Sequence, residues 1–256
     1  MERDLQRLTT TVSNRDLDRY DRQISIKDFG ERGQLRLKKA HVVVAGIGGV
    51  GSAVSMYLAV AGIGHLTVID SGKVELSNLN RQVLHWEEDL GSNKAKSAAA
   101  KLRQLNTDIE VTSVEESIEA NNVSSLLQGA DTVVDCLDNF SARYALNDAA
   151  VKLNMPAFHA ACFGFEGRVT TIIPRITPCL RCIYPRGLQL EKVPIIGSIA
   201  GTIGNIAATE AIKFFVGLEP TLKNKLLIYD GQRLIYNLVN ISRNPECPSC
   251  REMRIK

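Results

Sequence analysis

Short apolar runs alternate with longer amphipathic segments through the first two thirds of the chain, a pattern typical of a mainly parallel sheet with crossover helices. The β-branched run at residues 41–45 leads through a glycine-rich turn into residues 52–61, which have helical periodicity. Alanine and leucine recur on one face of residues 94–105, which predicts another helix. The remaining strand and helix candidates in this part are residues 66–69, 110–114, 132–136, 142–153 and 156–160.

The C-terminal third has a different pattern. Asp230-Gly231 lies between two apolar runs, which is a hairpin signal. We therefore expect an α/β, Rossmann-like fold: a mainly parallel sheet with helices on both faces, extended by antiparallel C-terminal strands. The strand candidates here are residues 169–173, 226–229 and 234–239, and a long helix is predicted over residues 203–216.

Residues 1–40 are polar and rich in arginine, and they precede the first strongly apolar run. They are predicted to form a helical arm that reaches outside its own fold. Residues 41–256 contain no sequence repeat and no low-complexity linker, so we expect one domain there.

Composition narrows the function classes. With 256 residues and 45% hydrophobic content the chain can bury a full core, and its net charge of +3 argues against nucleic acid as the principal ligand. The N-terminus is charged and lacks the apolar core of a secretion signal, and no stretch approaches the roughly 20 apolar residues of a membrane span. We expect a cytoplasmic protein with no membrane partner.

The glycine-rich turn is the first candidate for chemistry. Gly46, Gly48, Gly49 and Gly51 stand between a strand and a helix, where backbone N–H groups and the helix N-terminus attract nucleotide phosphates. Asp70, 19 residues after Gly51 at a strand end, is placed to accept hydrogen bonds from ribose hydroxyls. These residues predict an adenine nucleotide but leave NAD, ATP and a tight turn without ligand as alternatives.

Three further residues bear on the choice between NAD and ATP. Arg81 and Lys94 could both face phosphate, and Asp138 follows another parallel strand at the same sheet edge, where it could hold Mg²⁺. Alternatively, Arg81 is a solvated loop residue and Lys94 is an exposed helix lysine like Lys96.

Four of the six cysteines form two Cys-x-x-Cys pairs, Cys179 with Cys182 and Cys247 with Cys250. Four thiolates in two pairs predict tetrahedral structural Zn²⁺ that clamps the C-terminal tail onto the domain, with a redox pair as the alternative. A four-cysteine site leaves no open position for catalysis.

The other cysteines and the histidines are given structural roles. Cys136 and Cys162 are expected to be small packing residues. Histidines 41, 65, 85 and 159 show no ligand spacing, and each is expected to form a local hydrogen bond.

An ordered series of motifs runs from about Arg19 to Cys250: Arg19-Tyr20-Asp21-Arg22-Gln23, the glycine turn, Asp70, Ser77-Asn78-Leu79-x-Arg81-Gln82, Gly91-x-x-Lys94, Asp135-Cys136-x-Asp138-Asn139 and the two cysteine pairs. This series resembles the MoeB/ThiF family of adenylyltransferases (HesA/MoeB/ThiF), the prokaryotic relatives of ubiquitin-activating enzymes. We know of no dehydrogenase family that shares it.

The resemblance implies that a protein C-terminal carboxylate attacks the α-phosphorus of Mg-ATP, forming an acyl-adenylate and releasing pyrophosphate. In the family, the second arginine of the first motif, here Arg22, reaches the ATP of the other subunit of a homodimer. The implied roles of the other residues are nucleotide contact by Gly49, ribose binding by Asp70, phosphate contact by Ser77, Asn78 and Arg81, transition-state support by Lys94, and placement of Asp138 and Asn139 at the metal and α-phosphate.

The partner implied by the resemblance is a ubiquitin-like sulfur carrier, similar to MoaD or ThiS, with a C-terminal Gly-Gly. Many relatives also carry a cysteine in the crossover loop for a thioester or persulfide, but residues 187–196 contain none. The chain is therefore expected to stop at the acyl-adenylate and pass it to a separate sulfur donor. Adenylation of a small carboxylate, a peptide or a tRNA base, and a non-catalytic NAD-binding protein, remain alternatives.

Overall fold

A computed structural model describes residues 11–187 and 194–252. Two short 3-10 helices, Leu76–Asn78 and Glu87–Asp89, lie in the connection after the second strand. The α-helices of these ranges are α1 (Asn14–Ile24), α2 (Gly30–Lys39), α3 (Gly49–Ala61), α4 (Lys94–Leu105), α5 (Val123–Leu126), α6 (Phe140–Lys152), α7 (Leu180–Ile183) and α8 (Gly197–Val216).

Eight strands form one sheet in the order β3-β2-β1-β4-β5-β6-β7-β8. The first five of that order are parallel, and β6, β7 and β8 extend the sheet with antiparallel pairing. The fold class predicted from sequence is confirmed. The strands are β1 (His41–Ala45), β2 (His65–Ile69), β3 (Glu110–Val114), β4 (Thr132–Asp135), β5 (Ala157–Phe163), β6 (Glu166–Ile172), β7 (Lys225–Asp230) and β8 (Ile235–Asn240).

Two hydrophobic cores cover the two faces of the sheet. All five residues of β1 are buried, because alternate side chains enter opposite cores: Val42 and Val44 pack toward α3, α4 and α8, while Val43 and Ala45 pack toward α6. The second core also includes three of the cysteines of the two pairs, Cys179, Cys247 and Cys250. The cysteine pairs are therefore packed into the body of the fold.

The order of the strands positions a crevice. From β1 the chain proceeds to β2 and β3 on one side, and it returns to β4 and β5 on the other side. In open parallel sheets, ligands bind at the carboxyl ends of the strands where the order reverses in this way. Here that point lies between the ends of β1 and β4, at Gly46 and Cys136.

Helix α8 corrects the expectation that no stretch of the chain approaches the length and apolar character of a membrane span. With 20 residues and a mean hydropathy of 1.2, it has the length and composition of a membrane span. Half of the apolar stretch of this helix is buried inside the protein, where the helix packs on α3, β5 and β6. The packing of the helix in the core thus explains the buried half of this apolar surface.

The N-terminal arm lies on the body of the protein through α1 and α2. Tyr20 is buried, and its hydroxyl accepts a hydrogen bond from Asn106 Nδ2 at 2.9 Å. Asp16 is paired with Lys38 at 2.5 Å, which joins the two helices of the arm. Residues 1–10 of the predicted arm lie outside the described residues.

Candidate active site

The glycine turn connects the end of β1 to the start of α3. Gly46 has φ +87°, a conformation that favours glycine, and its N–H donates to Ile69 O of β2 at 2.9 Å. A Cβ at Gly51 would lie 1.9 Å from Gly46 O, so only glycine permits this approach. Helix α3 begins at Gly49 with no acidic residue in its first turn, so its free N–H groups can receive phosphate.

Asp70 follows the last residue of β2, directly beside the glycine turn. Its carboxylate accepts hydrogen bonds from Ile47 N and from Gly72 N, both at 2.8 Å. These bonds fix the orientation of the carboxylate and join it to the turn. The structure therefore brings together the two features from which the sequence predicted a nucleotide site.

Lys94 is brought to the same place by the start of α4. Its backbone N–H donates to Gly72 O at 2.9 Å, and a Cβ at Gly72 would lie 3.4 Å from Lys94 Nζ and 3.0 Å from Asp70 Oδ1. The ammonium group and the Asp70 carboxylate thus both lie beside Gly72, and Asp70 in turn contacts the glycine turn at Ile47 N. Lys96, two residues further along α4, is exposed.

Arg81 approaches the glycine turn from the other side. A Cβ at Gly49 would lie 3.4 Å from Arg81 Cγ, and the guanidinium donates through Nη1 to Ser77 O at 2.8 Å. Asn78 is buried and its Oδ1 accepts from Glu75 N at 3.1 Å, which stabilises the 3-10 helix that holds Ser77. Ser77, Asn78 and Arg81 thus form one compact segment beside Gly49.

Asp138 and Asn139 follow β4 on the opposite side of the crevice. Both side chains are exposed, and Asn139 Oδ1 caps α6 by accepting from Ala142 N at 2.9 Å. The backbone just before them contacts the glycine turn, because a Cβ at Gly46 would lie 2.9 Å from Cys136 O. Asp138 is therefore an accessible carboxylate at the strand edge where the glycine turn lies.

Among the residues predicted to act at the nucleotide, Arg22 lies apart from the others. It is exposed in the last turn of α1, and the neighbouring Gln23 donates to Ala61 O at 2.8 Å, at the far end of α3. At 1.5 Å per residue, α3 places Ala61 about 18 Å from Gly49. The structure does not bring Arg22 to the glycine turn of its own chain.

The four paired cysteines form one cluster whose sulfur atoms all lie within 4.8 Å of one another. The sulfur atoms of Cys179 and Cys247 are 3.5 Å apart, and those of Cys182 and Cys250 are 3.4 Å apart. Zinc–sulfur bonds of about 2.3 Å in a tetrahedron place sulfur atoms about 3.8 Å apart. The cluster is compatible with a bound zinc ion, and its two pairs come together from distant parts of the chain.

A family model confirms what the motifs indicate. The model described as the ThiF family matches residues 20–249, nearly the whole chain. The chain belongs to the ThiF family. This match includes the glycine turn, Asp70, the segment around Arg81, Lys94, Asp138 and three of the paired cysteines.

Curated relatives of this ThiF-family chain include the SAMP-activating enzyme E1 of Haloferax volcanii, which is 41% identical, with 96% of this chain and 93% of the relative covered. Protein HesA, heterocyst, of Trichormus variabilis is 38% identical, with 92% and 89% covered. Adenylyltransferase and sulfurtransferase MOCS3 of Drosophila sechellia is 39% identical over 94% of this chain, which spans only 55% of that protein.

Solved structures show the same fold. Escherichia coli MccB with MccA-N7isoASN superimposes with a TM-score of 0.83 at 27% identity, covering 93% of this chain and 75% of MccB. MccB with ATP gives a TM-score of 0.81 at 26% identity, covering 96% and 76%. A protein of this architecture has thus been crystallised with ATP.

The two unpaired cysteines of the ThiF-family chain have the environment of packing residues. Cys136 is buried, and burial raises the pKa of its thiol well above the ordinary value. Burial likewise raises the pKa of Cys162 to about 12. Neither thiol is activated as a nucleophile in this environment. Of the cysteine-free stretch at 187–196, residues 188–193 lie outside the described residues.

The four histidines form the local hydrogen bonds that were expected of them. His41 and His65 contact threonine hydroxyls, at 2.8 and 2.9 Å. His85 contacts Ser97 Oγ and Ile47 O, both at 3.0 Å, and His159 contacts Asp135 at 2.7 Å.

Four buried residues that the sequence analysis did not assign to the site support it from the interior of the fold. His85 contacts the carbonyl of Ile47 inside the glycine turn, and no local pattern identifies it. Asp135, His159 and Arg143 form a buried group under the turn that carries Asp138. Arg143 likewise has no local pattern that identifies it, because its partners Leu137 and Asp135 are reached through the fold.

Proposed function

We propose that this chain is an ATP-dependent adenylyltransferase that activates the C-terminal carboxylate of a ubiquitin-like sulfur carrier. The observation that carries the proposal is the convergence of the glycine turn, the oriented Asp70 carboxylate and the cations Arg81 and Lys94 at one sheet edge. Hydride transfer to NAD does not require two cations beside the phosphate cradle, whereas a triphosphate does.

The reaction joins a carboxylate oxygen of the carrier to the α-phosphorus of ATP and breaks the bond from that phosphorus to the bridging oxygen of pyrophosphate. Two anions must approach each other, so catalysis depends on positioning and on neutralising charge. The N-terminus of α3 receives phosphate, Asp70 accepts from the ribose hydroxyls, and Arg81 and Lys94 neutralise phosphate charge. Mg²⁺ held at Asp138 and Asn139 would neutralise the remaining phosphate charge.

The sequence identities to known relatives favour the ubiquitin-like sulfur carrier as the substrate. The SAMP-activating enzyme matches this chain at 41% identity over nearly the full length of both, while MccB in complex with MccA matches at 27%. A separate protein would supply the sulfur, since activated thiols are absent among the described cysteines outside the four-cysteine cluster. A small carboxylate or a free peptide is the second candidate substrate, because MccB in complex with MccA superimposes on this chain with a TM-score of 0.83.

Pyrophosphate–ATP exchange tests the proposal. Exchange is expected with a carrier that ends in Gly-Gly, and not with the same carrier lacking its last glycine, because the carboxylate would then stop short of the α-phosphorus. Exchange with a short free peptide alone would support the second candidate. Tight NAD binding without exchange in the presence of any carrier would contradict both.

A matched pair of variants ties the exchange to this site. Lys94→Ala is expected to lower exchange about 100-fold, because it removes a cation beside the phosphate site. Lys96→Ala, on the exposed side of the same helix, is expected to change it less than about twofold. Equal effects of the two substitutions would argue against the assigned position of the triphosphate.

A further inference from the structure

We infer that Arg143 is a positioning residue for adenylation, because it clamps the turn that presents Asp138. The guanidinium of Arg143 donates through Nε to Leu137 O at 2.9 Å and through Nη2 to the same oxygen. Nη2 also lies 3.5 Å from Ala160 O of β5. This inference rests on the proposed function, since it assumes that Asp138 acts in the reaction.

Leu137 is held at both of its backbone groups. Its N–H donates to Asp135 Oδ1 at 3.1 Å, while its carbonyl accepts from Arg143. Asp135 is itself fixed by His159, whose Nδ1 lies 2.7 Å from Asp135 Oδ2. The residue directly before Asp138 is thus fixed between two side chains that belong to the interior of the fold.

The clamp consists of Arg143, Asp135 and His159. All three side chains are buried, in contrast to the residue they present. Arg143 is 8% exposed, Asp135 5% and His159 1%. Asp138 is exposed, and its hydrogen bond among the described residues is a long one of 3.4 Å from Asn139 Nδ2. The position of Asp138 is therefore set by the backbone before it and not by contacts of its own side chain.

The charges of the clamp are balanced. Burial on its own would raise the pKa of Asp135, but the nearby Arg143 and His159 outweigh that effect and lower it. Asp135 is thus a carboxylate that lies opposite the Arg143 guanidinium, with Nε and Oδ1 3.9 Å apart. A buried ion pair contributes little to net stability. We therefore attribute the Asp135–Arg143 pair to the geometry that it imposes on the Leu137 turn.

The clamp also supports the glycine turn. A Cβ at Gly46 would lie 3.2 Å from Leu137 N, so the segment that Arg143 holds is in contact with the start of the phosphate cradle. A displacement of about 1 Å at a reacting centre is enough to slow catalysis about 100-fold. Loosening the Leu137 turn is therefore expected to reduce turnover more than it reduces nucleotide affinity.

The test uses a matched arginine at the other end of the sheet. Arg103 also donates through Nε and Nη2 to one backbone oxygen, Val111 O, at 3.1 and 2.6 Å. Arg143→Lys is expected to lower kcat of exchange about 10- to 100-fold with ATP affinity within about threefold. Arg103→Lys is expected to leave both unchanged. If Arg143→Lys does not fold, Asp135→Asn is measured in the same way, because it removes the other half of the clamp.

Two further measurements separate positioning from general stability. Amide hydrogen exchange over residues 137–139 is expected to quicken in Arg143→Lys and not in Arg103→Lys, and this readout needs no activity. In an Asp138→Ala background, Arg143→Lys is expected to cause no further loss of exchange, because it acts through Asp138. Additive losses, or an Arg143→Lys enzyme with wild-type kcat, would overturn the inference. Absence of exchange in the wild-type enzyme would instead count against the proposed function.

Discussion

His85 illustrates how much of the site depends on single buried residues outside the motifs. It is 3% exposed, and it lies between the carbonyl of Ile47 and the hydroxyl of Ser97, with both distances at 3.0 Å. Burial lowers the pKa of the ring, and the positive charges of Lys94 and Lys101 lower it further. The neutral ring donates to Ile47 and accepts from Ser97, which stabilises the glycine turn from below.

The lowered pKa values of His85 and His159 predict that the protein loses stability at pH values above those at which its carboxylates titrate. Both pKa values lie below the ordinary 6.5, so the unfolded chain binds more protons than the folded one, and stability is lost as pH falls below about 6.5. The paired carboxylates of Asp16, Asp89 and Asp148 have pKa values below 3.8, so their stabilising effect is still largely present at pH 5. Thermal unfolding followed from pH 7.5 to pH 5 should therefore show a falling Tm. His85→Gln should flatten this dependence, and an unchanged slope would contradict the assignment.

At this scale the sequence predicted residues whose neighbours in the chain reveal them. Gly46, Asp70 and the cysteines stand at a strand end or in a spaced pair, so a local pattern identifies them. His85 and Arg143 have no such pattern, because their partners Ile47 and Leu137 are contacted through the fold. Their roles follow only from the packing.

Helix α6 connects the two candidate sites at the scale of elements. Its first turns hold the Asp138 segment, and its later residues hold the cysteine pairs. Asn147 Oδ1 accepts from Leu180 N at 2.8 Å, and Asp148 accepts from Ser249 Oγ at 2.5 Å. One helix therefore supports both cysteine turns as well as the turn at the end of β4.

Metal binding by the cysteine cluster is predicted to be structural. Purified protein is expected to contain about one zinc ion per chain, and Cys182→Ser is expected to lose it. Because the metal joins residues far apart in the sequence, the loss should cost about 3 kcal/mol and lower Tm by roughly 6–12 °C. Metal content by atomic emission and thermal unfolding check this.

Cys162→Ser is the control for the cysteine cluster, since Cys162 lies outside it. It is expected to keep the metal and the exchange activity. If wild-type protein were purified free of zinc and adding zinc did not raise its Tm, a structural zinc site would be ruled out.

Element boundaries show where local pattern stops being informative. The helix predicted over residues 94–105 and the strand predicted over residues 110–114 agree with the structure at both ends. The helix predicted from residue 203 begins instead at Gly197, where a glycine and a serine have weak helix preference. The added first turn packs closely against Asn80 and Arg81, since a Cβ at Gly197 would lie 2.5 Å from Asn80 O.

At the scale of the whole molecule, the placement of Arg22 raises the question of assembly. Arg22 is exposed at the end of α3 distant from its own glycine turn. A role for this arginine at the nucleotide therefore requires a second copy of the chain, as in the shared site expected from the family resemblance. This proposal predicts a homodimer with two active sites.

Mixing two inactive variants tests the shared site. Arg22→Ala and Arg81→Ala should each be nearly inactive, whereas a mixture allowed to exchange subunits should regain about a quarter of wild-type activity, since one site in half of the random dimers is intact. Arg32→Ala, at another exposed arginine of the arm, is the control and should stay active. Activity of the mixture no higher than the mean of the two variants would place Arg22 outside the shared site.

The sequence by itself determined the fold class, the nucleotide cradle, the paired cysteines and the family, because each rests on residues close together in the chain or on motifs in a fixed order. Only the tertiary structure decided that Lys94 and Arg81 flank the glycine turn, that four cysteines meet in one cluster, and that Arg143 clamps the Leu137 turn. The physical reason is that these contacts join residues from separate elements. Their distances depend on how the elements pack around the sheet, which no local pattern specifies.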